Sequence, residues 1–153
     1  MNDFSVSVAK IAQILDLKNF TDNIDLKKIK ITSSDVNRPA LQLTGYFAHF
    51  EQSRIQMIGN VEYAYIQQMS DEEKRIRYSA FLQFEIPCVI FCRDLQPDAI
   101  FIEQAEKNHV PILGTSRPTS EFMAELIYTL AEKLAPSITV HGVLVDVYGE
   151  GLM

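Results

Sequence analysis

A chain of 153 residues is the size of one ordinary domain, or of one domain plus a fragment. Apolar residues make up 47% and charged residues 22%, with nine Phe and six Tyr, which is enough to bury a core and excludes a disordered or low-complexity chain. A net charge of −6 argues against general nucleic-acid binding, and no apolar run approaches the ~20 residues that span a bilayer.

The start, MNDFSVSVAK, has no basic segment leading into an apolar one, so secretion is not signalled. Val8, Ile11, Ala12, Ile14 and Leu15 lie at helical spacing within Val6 to Leu17. Asn19 to Asp25 is polar and turn-like. Ile29 and Ile31 alternate with lysines and predict a short strand. A long connection follows, ITSSDVNRPALQLTGYF, rich in turn formers. Pro39 drives Arg38 towards an extended conformation. The connection is expected to be an ordered surface feature, held by a short Asp35–Arg38 pair or used for docking.

Ile55 to Ile58 reads as a strand ending at Gly59, followed by helical spacing from Val61 to Met69. Ser70-Asp71-Glu72-Glu73 has the form of a capping box and starts a helix reaching about Gln83. Pro87 to Cys92 is a continuous apolar run, as in a strand covered on both faces. Its Cys88 and Cys92 share one face, too far apart for an easy bridge, and read as buried free thiols of a cytoplasmic protein. Pro97-Asp98 opens a helix to about Lys107. Val110 to Leu113 is a short strand. Pro118 opens a helix with a stripe of Phe122, Met123, Leu126, Ile127, Leu130 and Leu134, ended by Pro136. Helices between short apolar strands predict an α/β fold with an open, mostly parallel sheet flanked by helices over residues 1–134.

After Pro136 the pattern changes. Ile138 to Gly149 reads as one strand or a hairpin, closing on Gly149-Glu150-Gly151. It is expected to begin a second domain, with residues 135–153 as linker and first strand. Gly149-x-Gly151 opens a phosphate-cradling loop or closes a hairpin. His109 follows a helix end and reads as structural; His49 is assigned no role. His141 is either a hydrogen-bonded strand histidine or an acid/base group. No complete active site is present: the chain contains no G-x-x-x-x-G-K-[ST] and no Gly-x-Ser-x-Gly.

Two stretches carry a resemblance. Ser34 to Phe47, SDVNRPALQLTGYF, continued by Arg54 to Gly59, RIQMIG, resembles the amino-terminal signature of the bacterial HPr kinase/phosphorylase. Val140 to Gly149, VHGVLVDVYG, is similar to the lead-in to that family's P-loop. Ala40 and Glu150 stand where the family usually has Gly and a small or apolar residue.

The resemblance implies a homohexameric cytoplasmic enzyme that phosphorylates a regulatory serine of the phosphocarrier HPr with ATP or pyrophosphate and Mg²⁺. It implies removal of that phosphate by phosphorolysis, in control of carbon metabolism. It implies an amino-terminal domain like that of the Mur ligases, and a catalytic role for His141. Nucleotide and metal sites are expected outside this chain, which is expected to be inactive alone. Asp35, Arg38, Gly45 and Tyr46 form a candidate structural or docking loop. A stand-alone regulatory or protein-interaction module of the same fold is the alternative. Nucleic-acid and membrane partners are not expected.

Overall fold

In a computed structural model, which describes residues 4–135, three short apolar runs lie side by side at the centre of the molecule. They are β5 (Ile55–Ile58), β6 (Val89–Phe91) and β7 (Ile112–Gly114), all parallel. Their side chains alternate between two cores, as the period of a strand requires. Ile55, Met57, Ile90 and Leu113 face one core, and Ile58, Val89, Phe91 and Ile112 face the other. Cys88 and Cys92 continue the alternation of Ile90 into the first core, both buried and unbridged.

Two edge strands complete the main sheet. β4 (Val36–Asn37) runs parallel to β5, and β2 (Lys18–Asn19) runs antiparallel to β7, giving the order β2-β7-β6-β5-β4. A small second sheet pairs β1 (Val6–Ser7) with β3 (Lys30–Ile31).

The helices divide between the two faces. α1 (Val8–Ile14) and α6 (Thr119–Leu134) cover the first core, where Phe122, Leu126 and Leu130 are fully buried at a spacing of four. On the other face lie α2 (Ala40–Leu43), α3 (Asn60–Gln67), α4 (Asp71–Leu82) and α5 (Ala99–Lys107). Phe81, Tyr78, Phe91 and Phe101 dominate that core, with Phe91 and Phe101 edge to face at 5.2 Å. The result is the expected α/β fold with a mostly parallel sheet.

Local signals explain three of these six helix starts. Ser7, Ser70 and Asp98 cap α1, α4 and α5 through their side-chain oxygens, accepting from the amides of Lys10, Glu73 and Phe101.

Three expectations are corrected. Val6 and Ser7 are strand, not helix: the backbone entering the Ser7 cap is extended and pairs with β3. The strand at Ile31 therefore belongs to the small sheet. Asn19 is also paired, because the free edge of β7 needs a partner and β2 supplies it. Finally, the connection from Thr32 to Phe47 is not one long loop, since it contains β4 and α2. Two-residue strands are too short to show a period in the sequence.

Candidate functional site

The parallel strands β4, β5 and β6 deliver their following residues to one carboxyl edge: Arg38 after β4, Gly59 after β5, and Cys92 and Arg93 after β6. From this edge α3 departs over one face of the sheet. α6 starts at the same edge but runs along the opposite face. A crevice of about 250 Å³ lies between, lined by Arg38, Asn60, Val61, Arg93, Thr119 and Ser120. The carboxyl ends of strands in an open α/β sheet are where such folds bind ligands. A larger concavity, about 440 Å³, opens at the amino edge beside Lys28, Lys30, Glu85 and His109. The carboxyl-edge crevice carries the more specific chemistry.

Arg38 forms a forked pair with Glu62 of α3, Nε to Oε2 at 3.0 Å and Nη2 to Oε1 at 2.7 Å. Glu62 is only 3% exposed, and its Oε1 also accepts the amide of Gly59 at 2.8 Å. The guanidinium thus stands over the start of α3, half open to the crevice. Gly59 is needed there for space. A Cβ would fall 2.6 Å from the Thr119 hydroxyl and 2.9 Å from Arg38 Nη2.

Neither α3 nor α6 receives a side-chain cap, in contrast to α1, α4 and α5. At the start of α3 the Glu62 carboxylate accepts the Gly59 amide instead, as the glutamate of a capping box does. Thr119 is buried, its hydroxyl packed against Gly59 and directed to the Cys92 thiol. Arg93 is exposed, and its guanidinium has no ionic partner among the described residues. It stands on left-handed backbone, φ 60°, followed by Asp94 at 58°. The amides of Arg93 and Asp94, bonded to the carbonyls of Arg117 and Thr115, hold that turn. Two successive non-glycine residues in this region store strain, which concentrates at functional positions. Burial pushes the Cys92 thiol beneath the crevice up to about 11, although the Thr119 hydroxyl and Arg38 guanidinium pull it the other way.

The expected loop residues separate. Asp35 pairs with Arg54 at 3.6 Å rather than with Arg38. Arg38, one residue past β4, reaches across the carboxyl edge to the buried Glu62, whereas Asp35 precedes β4 and lies by the start of β5. Gly45 and Tyr46 end α2 away from the crevice. The amide of Gly45 donates to the Gln42 carbonyl and that of Tyr46 to the Leu41 carbonyl, with Gly45 at φ 97°. Ala40 is the first residue of α2 and needs no positive φ, so the absence of Gly there is without strain. His141 lies outside the described residues. The sequence did not single out Glu62, Arg93 or Thr119. The signal for Arg93 was its place just after the apolar run of β6, where a parallel sheet presents its carboxyl edge.

Residues 6–130 match the family model described as HPr Serine kinase N terminus. The chain belongs to this family. It is 47% identical over 150 residues to an HPr kinase/phosphorylase of Lachnoclostridium phytofermentans, covering 98% of this chain and 48% of that protein. Similar matches are the HPr kinase/phosphorylases of Caldicellulosiruptor bescii, 41% identical over 98% of this chain and 48% of the relative, and of Caldanaerobacter subterraneus subsp. tengcongensis, 43% over 97% and 48%. The chain spans about half the length of these relatives. The fold is also similar to the CBS and DRTGG domains of the regulatory region of Clostridium perfringens pyrophosphatase, solved with the activator diadenosine tetraphosphate. That likeness has a TM-score of 0.55 and 17% identity, and covers 81% of this chain and 46% of the other. No helix among the described residues of this HPr serine kinase N-terminal domain is long and apolar enough to cross a membrane.

Proposed function

We propose that the chain is the amino-terminal part of an HPr kinase/phosphorylase. The parent enzyme transfers a phosphoryl group from ATP or pyrophosphate to a regulatory serine of HPr. It also removes that group by attack of inorganic phosphate, releasing pyrophosphate. One observation carries this reading: 47% identity to such an enzyme across 98% of the chain. In this reading residues 1–134 form the amino-terminal domain and residues 135–153 lead into a P-loop kinase domain. The parent is a cytoplasmic homohexamer.

The described residues do not fit a nucleotide–magnesium centre. They contain no group of three His, Cys, Asp or Glu that could hold a metal ion. No G-x-x-x-x-G-K-[ST] occurs to cradle a triphosphate. No step of the transfer is therefore assigned to residues 4–135. Within the chain, His141 is the residue assigned to proton transfer or charge stabilisation at the phosphates. In the full-length protein His141→Ala lowers phosphorylation and phosphorolysis together by at least about tenfold, because the two directions share one transition state. Near-normal rates in both directions would return His141 to a structural role.

A regulatory or interaction module on the same fold is the second reading. It is favoured by the occurrence of a similar fold in the regulatory region of a pyrophosphatase. The coding sequence beyond residue 153 separates the two. The kinase reading requires a P-loop motif soon after Gly151; a different continuation selects the module.

A further inference from the structure

We infer that the open edge of β3 takes up an extended acidic segment of a partner protein, which pairs with it as a further strand of the small sheet. The inference uses only the amino edge of the described domain and does not depend on the kinase assignment.

The register of the small sheet fixes which backbone groups are free. Val6 stands opposite Ile31 and Ser7 opposite Lys30, and the Val8 amide donates to the Ile29 carbonyl at 2.9 Å. In an antiparallel pair, bonded and non-bonded positions alternate. Val8 and Ile29 are bonded, so Val6 and Ile31 are bonded too, and Ser7 and Lys30 are not. The amide and carbonyl of Lys30 therefore point away from β1, and no other backbone group among the described residues takes them.

The concavity of about 440 Å³ at the amino edge lies on that side of the strand. Lys28, Lys30 and Thr32 line one wall, and no residue of β1 lines it. Ser53, Pro87 and Val110 line the opposite wall, each standing two residues before β5, β6 or β7. An unpaired edge beside a trough is the arrangement that accepts an added strand. Main-chain bonds then supply affinity, and alternate side chains supply specificity.

Charge selects the occupant. Lys28 and Lys30 lie on one face of the strand, opposite Ile29 and Ile31, which pack on the first core. The concavity sets these two ammonium groups and His109 against a single carboxylate, that of Glu85. Two copies of the chain pairing through this edge would bring lysine against lysine, which opposes self-association. A strand with acidic residues at alternate positions meets the lysines instead, and its remaining side chains turn to the side of Ile29. The edge is thus closed to another β3 and open to an acidic strand.

The test is an amide chemical-shift and hydrogen-exchange titration of the 153-residue chain at fixed ionic strength. The probe is the blocked hexapeptide acetyl-EVEVEV-amide, with acetyl-KVKVKV-amide and succinate as controls. We expect saturable shifts at Lys30 and Thr32 with a dissociation constant of about 1 mM or tighter, slowed exchange of the Lys30 amide, and no shifts with either control. Of two further peptides, N-methylated on the glutamates or on the valines, at least one should lose binding, because its main-chain bonds to the edge are blocked. Replacing Lys28 and Lys30 together by Glu, both exposed changes, should weaken acetyl-EVEVEV-amide by at least about tenfold. The proposal is overturned if the hexapeptide to about 5 mM leaves Lys30 and Thr32 unmoved, or if succinate moves them equally. It is equally overturned if both methylated peptides bind as well as the parent, if the double variant binds as tightly as the unaltered chain, or if the Lys30 amide is already protected before any peptide is added.

Discussion

Arg38 Nη2 lies 2.7 Å from Glu62 Oε1, and this pair ties the residue after β4 to the first turn of α3. Glu62 is almost fully buried while Arg38 remains partly open to solvent. Removing the arginine leaves a buried carboxylate whose remaining partner is the Gly59 amide. We expect Arg38→Ala to destabilise the domain by about 2–3 kcal/mol, below the full loss for a wholly buried pair because water screens the guanidinium. Urea denaturation measures it. A double-mutant cycle with Glu62→Gln should show strong coupling. A loss under about 0.5 kcal/mol would mark the pair as an ordinary surface bridge.

The buried thiols predict an alkaline limit to stability. Burial pushes Cys88 up to about 12 and Cys92 up to about 11, from a usual value of 9.0. In the unfolded chain both ionise near their usual value, so unfolding releases protons and stability falls as pH rises from about 9 towards 11. Below pH 9 this contribution is complete. The midpoint of urea unfolding should drop across that window. Replacing both cysteines by Ala should flatten the drop. At neutral pH the native thiols should resist a thiol reagent until the protein unfolds.

His109 is the left-handed residue that ends α5, at φ 58°. Its amide donates to the Glu106 carbonyl and that of Val110 to the Ala105 carbonyl, a pattern usually closed by Gly. The imidazole is exposed. His109→Gly should therefore raise stability by about 0.5 kcal/mol, the relief of strain exceeding the added freedom of the unfolded chain. Thermal unfolding measures it. A destabilised variant would mean that the imidazole itself makes a useful contact.

Gly45 presents the opposite case. Its φ of 97° lies outside what L side chains usually adopt, and a Cβ would collide with the Arg77 guanidinium. Gly45→Ala should cost about 1–2 kcal/mol and spread chemical-shift changes from α2 to α4. Unchanged stability would show that the helix end relaxes freely.

Long periodic segments were legible in the sequence, and short pairings were not. The stripe Phe122, Leu126, Leu130 and the capping serine at position 70 announce α6 and α4 directly. β1, β2 and β4 each have two residues, so their identity comes from what they pair with. The same limit explains the partner of Arg38. An aspartate three residues away is near in sequence, but β4 sends Arg38 across the sheet edge to a glutamate 24 residues later. Thr119 carried no sequence signal at all. Its meaning comes from α6 starting opposite α3, a relationship that only the folded sheet creates.

Phosphoryl transfer tests the functional reading most directly. Full-length protein would be incubated with HPr, magnesium and either ATP or pyrophosphate, and the modified residue located by mass spectrometry. The expected result is one phosphoserine in HPr, removed again by inorganic phosphate with release of pyrophosphate, and no transfer by the 153-residue chain alone. A full-length protein that leaves HPr unmodified with both donors, or a 153-residue chain that phosphorylates it unaided, would contradict the reading.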